Sequence, residues 1–289
     1  MIASETESTE PVLSWARQDI EQRIGFNGGR FTRVNNFLSF LVACALTVLF
    51  YAILVPFDHT WFGQSFTKRG PTPYFTALFS WWACAILFLK WRKFVLQDSA
   101  LAHHVVPDAH DFVLSSSTAD RVTDNIHRIV EDPSQFVLFN RILIALSNLR
   151  NLGRIADVDD ILRSQSENDE AGLETSYSLL KAFVWAIPVL GFIGTVLGLS
   201  DAVSGFGLVL ESTQDVSQIV AALKVVTGGL ATAFETTLQA LVAALAIQLL
   251  LTWLKKSEEE FLDACSDYCL RRIVNHLRIM PFEPASEAE

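Results

Sequence analysis

Four apolar runs, at residues 36–57, 74–90, 182–199 and 228–254, constrain this chain more than any other feature. About 20 mostly apolar residues suffice for a helix to cross a bilayer. Basic residues flank the runs, as they flank membrane helices. Hydrophobic residues make up 51% of the chain and charged residues only 19%, with the charges gathered between the runs. A mean hydropathy of +0.32 is high for a soluble protein of this length. The pattern predicts an all-α, polytopic membrane protein with four transmembrane helices and a helical region between the second and third. The first run begins too far from Met1 for a signal peptide and lacks a small-residue cleavage site, so it is expected to remain as an anchor.

Orientation follows from the basic residues. Arg17, Arg23, Arg30 and Arg33 precede the first run, and Lys90, Arg92 and Lys93 follow the second. Lys181 precedes the third, and Lys255 and Lys256 follow the fourth. The loops expected at 58–73 and 201–225 hold only Lys68, Arg69 and Lys224. The positive-inside rule therefore places both termini and the middle region in the cytoplasm. Trp61, Phe62 and Tyr74 in the outer loop, and Trp91 after the second run, suit the lipid–water interface.

Several functions are disfavoured. A net charge of −10 argues against nucleic-acid binding. The four cysteines give no disulfide framework: Cys44 and Cys84 lie in apolar runs, and Cys265 and Cys269 read as a core-facing stripe. His103, His104 and His110 near Asp108 and Asp111 have no metal-ligand spacing on one helix face, and Pro107 interrupts them. GFNGGR follows no strand and is not a phosphate loop. No nucleophile–base pair stands out, so an enzyme is not expected.

The chain divides into five parts. Residues 1–33 are a cytoplasmic segment with a short amphipathic helix, over 11–24, expected on the membrane surface and broken by Gly25, Gly28 and Gly29. Residues 34–95 hold the first two spans and their periplasmic loop. Residues 96–178 form a cytoplasmic helical region, with helices expected at 118–130, capped by Thr118, and at 134–152, and a polar segment from 159 that merges into the third span. Residues 179–254 hold spans three and four. Residues 255–289 continue the fourth helix as an amphipathic seam of Phe261, Leu262, Cys265, Cys269, Ile273 and Leu277, followed by an acidic tail.

Spans three and four carry the chemistry. Gly191, Thr195, Gly198, Ala202 and Gly205 recur at intervals of four and three, a small-residue face that lets another helix approach closely. Pro188 removes a backbone donor from the same helix and can kink it. In span four, Thr232, Glu235, Thr236 and Gln239 share one polar stripe, with Thr237 off its centre. Glu235 is an acid well inside an apolar span, where a charge costs about 2.5–3.5 kcal/mol and so faces a wet cavity or a partner. It either joins an ion path or braces the helices. Counted at 1.5 Å per residue from Lys181 and Lys255, Thr195 and Thr237 come within about 6 Å in depth. Their hydroxyls can line a narrow polar path.

Residues 187–199, IPVLGFIGTVLGL, and 229–241, GLATAFETTLQAL, resemble the MotA/TolQ/ExbB proton-channel family. The first is similar to that family's proline-glycine-threonine helix, which includes Pro188, Gly191, Gly194 and Gly198. The second is similar to its small-residue, threonine-bearing last helix. The resemblance implies pore threonines at Thr195 and Thr237, with Thr236 beside them. Transporter-energising members carry an acid at the position of Thr232, whereas here the acid is Glu235. It further implies a multi-pass protein of the bacterial inner membrane and a homopentamer around a MotB/TolR/ExbD-like single-span partner. That partner's membrane aspartate carries the protons that drive motion. No cofactor is implied beyond the translocated ion, H+, and membrane lipid is a partner. Four spans match the flagellar-stator branch. The competing readings are a small proton-coupled secondary transporter using Glu235, and a membrane scaffold subunit.

Overall fold

A computed structural model of the chain describes residues 13–277, apart from 27, 30, 104, 107–113, 115, 153–154 and 213–215. Ten α-helices lie among the described residues: α1 (Trp15–Gln18), α2 (Ile20–Arg23), α3 (Asn36–Leu54), α4 (Trp61–Thr67), α5 (Thr72–Ser99), α6 (Ser116–Ile129), α7 (Val137–Leu152), α8 (Ile155–Ser176), α9 (Ser178–Ser212) and α10 (Val216–Arg272). No β-strand lies among them, only two isolated bridges. Four helical stretches, Asn36–Phe57, Thr72–Ala102, Asp157–Ser204 and Leu223–His276, are long and apolar enough to cross a membrane. The expected all-α fold with four spans is what the chain adopts.

Two compact units form. One comprises Asn36–Leu89 and Tyr177–Leu254. Its interior holds aromatic side chains: Trp82 lies 4.8 Å from Phe40 and 4.9 Å from Phe183, and its indole donates to the Ser39 hydroxyl at 3.0 Å. Its outward side chains are apolar, among them Val48, Phe192, Leu245 and Leu249, as a bilayer requires.

The other unit comprises Met1–Asn35, Lys90–Ser176 and Lys255–Glu289. Its core takes Val122 and Ile126 from α6, Phe136, Phe139 and Ile142 around α7, and Phe261, Leu262, Cys265 and Cys269 from α10. Ile273 and Leu277 are buried beyond it, so the whole expected seam faces this core. Arg141 of α7 ties three helices together: it donates to Asp169 of α8 at 2.7 Å and to Ser266 of α10 at 2.8 Å.

Several local expectations change. Instead of one surface helix over 11–24 there are two single turns, α1 and α2. Trp15 is 1% exposed and stacks edge-on against Phe136 at 5.4 Å, while Leu13 bridges in parallel to Val130. Burial in a protein core won over a membrane surface because both large apolar side chains find partners there. Gly25, at φ +86°, ends the turns as expected. Thr118 lies inside α6 rather than capping it, and α7 begins at Val137, after a 3-10 turn over Pro133–Gln135. The loop expected at 201–225 is helical up to Ser212 and again from Val216. Its apolar residues extend the helical pattern through the few polar ones. The loop at 58–73 contains α4, N-capped by the Thr60 hydroxyl, which accepts from Gly63 N–H at 3.1 Å.

Lys90 and Lys93 are not solvated flanks. Both are almost fully buried, Lys90 against Glu258 at 3.4 Å and Lys93 against Glu21 at 2.5 Å and Asp19 at 3.7 Å. Buried ions of this kind are tolerated only when paired. His104, His110, Asp108 and Asp111 lie outside the described residues, and His103 contacts the Ser99 carbonyl at the end of α5 at 3.0 Å.

Candidate functional site

Helices α9 and α10 meet through backbone. A Cβ added to Gly198 would lie 2.7 Å from the Gly229 carbonyl oxygen and 2.8 Å from the Ala233 nitrogen. One on Gly191 would lie 2.5 Å from the Ala240 methyl, and one on Gly194 2.5 Å from the Thr236 hydroxyl. Only glycine permits this approach, which is how small-residue faces associate helices where lipid offers no hydrophobic drive. Helix α9 continues through Pro188, which lies inside it. Gly205 is helical, at the far end of the same face.

Gly198→Val is therefore expected to separate the pair, at a cost of about 1–3 kcal/mol for the overpacking. Thermal unfolding of the purified protein checks this, with Gly172→Ala in α8 as control. That glycine has nothing within 4 Å of an added Cβ, so its replacement should be neutral or stabilising.

The close approach brings Thr195 and Thr237 together. Their hydroxyls hydrogen-bond to each other. The Thr195 hydroxyl lies 3.3 Å from the Gly191 carbonyl and 3.1 Å from that of Ala233. The Thr237 hydroxyl reaches the same two carbonyls, at 3.0 and 3.1 Å. Each hydroxyl has one proton to give and can accept as well. Two protons thus share a larger set of acceptors, so they can reorient without leaving a donor unsatisfied. That degeneracy is what a proton relay needs.

The polar stripe of α10 divides. Thr236 is buried on Gly194, and its hydroxyl donates to its own helix at Thr232 O (2.9 Å) and Ala233 O (3.3 Å). Thr232 also bonds back, to Gly228 O at 3.1 Å. Glu235 is claimed by the segment that follows α3. Arg69 grips it in a fork, Nε to Oε2 at 2.8 Å and Nη2 to Oε1 at 3.0 Å. The Trp61 indole donates to Oε1 at 3.1 Å, and the Gln239 amide donates to the Ser65 carbonyl at 3.0 Å. Two-point Arg–carboxylate bonds are among the strongest a side chain makes. They offset the cost of placing Glu235 in an apolar helix.

Arg69 and Trp61 were not legible as site residues. Their partner is 166 and 174 positions away, and an arginine after a span reads as a loop charge. Among the described residues no group of three or more His, Cys, Asp or Glu could hold a metal ion.

These features define a polytopic, all-helical membrane protein whose two longest helices meet at a glycine face and a part-buried threonine pair. Residues 138–266, which contain both halves of that meeting point, match the model of the MotA/TolQ/ExbB proton channel family. Neither the curated proteins nor the solved structures compared with the chain give a match.

Proposed function

We propose that the chain is the proton-channel, stator-like subunit of an ion-motive-force-driven motor complex in the bacterial inner membrane, with both termini cytoplasmic. The observation that carries this is the Thr195–Thr237 hydroxyl pair at the closest approach of α9 and α10. Protons pass along those hydroxyls, framed by Thr236 and Thr232. The engagement of Glu235 by Arg69 supports a shuttling carboxylate from elsewhere: the membrane aspartate of a MotB/TolR/ExbD-like single-span partner. The exposed apolar faces of the membrane unit then serve lipid and neighbouring copies in a homopentamer. Proton flow past the partner's aspartate moves the partner against this ring.

Native mass spectrometry of the complex extracted from its own membrane tests the assembly. A pentamer carrying a single-span protein is expected, and a stable monomer would overturn the reading. In vesicles holding that complex, acidification driven by a membrane potential should follow the potential and exceed that of protein-free vesicles, and an uncoupler should bring both to the same final acidification.

A further inference from the structure

Residues 60–69 are built as a rigid piece. Thr60 caps α4, the Thr67 hydroxyl donates to Asp58 at 2.9 Å, and Lys68 pairs with Asp58 at 3.0 Å. Gly63 lies against the Phe57 carbonyl so closely that an added Cβ would sit 2.2 Å from its oxygen. This piece grips α10 at successive heights. Arg69 Nη1 reaches Gly228 O and Thr232 Oγ1, both at 3.4 Å. The fork and Trp61 hold Glu235, and Ser65 holds Gln239.

Thr237 is two residues beyond Glu235. At 3.6 residues per turn it points about 200° away, to the opposite side of the helix. Fixing one face fixes the rotation of the other. We infer that Arg69, assisted by Trp61, is a positioning residue for the threonine pair. Its clasp on Glu235 sets the rotation of α10 that turns Thr237 onto Thr195, and Glu235 is the anchor of that clasp, not a proton carrier. Three hydrogen bonds already engage the two carboxylate oxygens, and a proton taken up by Glu235 would remove the charge on which the two-point clasp depends. The inference rests on reading the pair as the ion path.

Disulfide trapping between Thr195→Cys and Thr237→Cys, in the full chain in its membrane, reads the rotation directly. A protease site inserted between Ser212 and Val216 reveals the bond, because linked fragments stay together. Single-cysteine variants control for the four natural cysteines. Arg69→Met should slow trapping by about threefold to tenfold, and Trp61→Phe should slow it less, in the same direction. Glu235→Gln does not titrate and keeps one acceptor oxygen, which serves Trp61 and one Arg69 N–H but leaves the other arm of the fork without an acceptor, so it should slow trapping less than Arg69→Met does. The exchange of Arg69→Glu with Glu235→Arg should restore much of what each change loses alone, which separates a specific clasp from a general loss of folding.

Unchanged trapping in both Arg69→Met and Trp61→Phe would overturn the inference. So would loss of proton flux in Glu235→Gln with trapping intact, which would make Glu235 a carrier. If trapping follows the clasp but flux survives without the Thr195 and Thr237 hydroxyls, the ion-path reading fails and the positioning role stands.

Discussion

Changing Thr195 and Thr237 together to valine is expected to abolish proton flux through the proposed complex while leaving the complex intact. Valine keeps the β-branched shape and the helix χ1 preference of threonine, so the close packing against Gly191 and Ala233 survives. The Gly191 and Ala233 carbonyls remain acceptors within their own helices. Losing two interhelical hydroxyl contacts in a membrane costs only about 1–2 kcal/mol each at most. The loss in transport is far larger, because a positioned proton-transfer group contributes about 10²- to 10⁴-fold. Serine at either position keeps a hydroxyl and should retain much of the flux. Thr236→Val is the informative contrast. The Thr236 hydroxyl bonds only to carbonyls of its own helix, so its loss should leave flux within about tenfold of the parent. The measurement is internal acidification of vesicles with an uncoupler control, beside native mass spectrometry of the same preparations. Full flux in the double valine variant would sink the threonine path.

What the sequence made legible was local. Run length exposed the four spans, and the spacing of Gly191, Thr195, Gly198 and Ala202 exposed the packing face. A fixed rise per residue matched Thr195 to Thr237 in depth before any coordinates. Three things stayed hidden because they depend on partners far along the chain. Thr237 looked peripheral to the polar stripe, yet it is the stripe's neighbours, Glu235 and Gln239, that turn away to meet residues 61–69. Trp15 and Leu13 carry the pattern of a surface helix, and only the presence of Phe136 and Val130 shows that they are core. Lys90 and Lys93 obey the positive-inside rule in position, but their chemistry is that of buried ion pairs with Glu258, Glu21 and Asp19. Periodicity reports which face of a helix is apolar. It does not report which distant residue will neutralise a charge.

Arg141→Ala is expected to be the most destabilising single change outside the membrane unit. Arg141 and Asp169 are 1% and 4% exposed at their side chains. The guanidinium donates to Asp169 on α8 and to Ser266 on α10, while the other Asp169 oxygen accepts from Gln165 at 3.0 Å. Removing the arginine leaves a buried carboxylate without its counter-charge and removes packing at the meeting of three helices. Breaking a buried pair from one side costs about 3–5 kcal/mol. In a domain of this size each kcal/mol lowers Tm by roughly 2–4 °C, so the shift should be unmistakable in a thermal melt of the detergent-solubilised protein. The double change Arg141→Met with Asp169→Leu removes both charges and refills much of the space. It should recover most of the stability, because apolar replacement of an entire buried pair is often neutral or favourable. If the double variant is as unstable as Arg141→Ala, the loss comes from packing around Ser266 and Leu262 and the ion pair itself contributes little. If Arg141→Ala melts with the parent, the three-helix tie has no energetic role, and α7, α8 and α10 are held by their apolar seam of Phe139, Ile142, Leu262 and Cys265 alone.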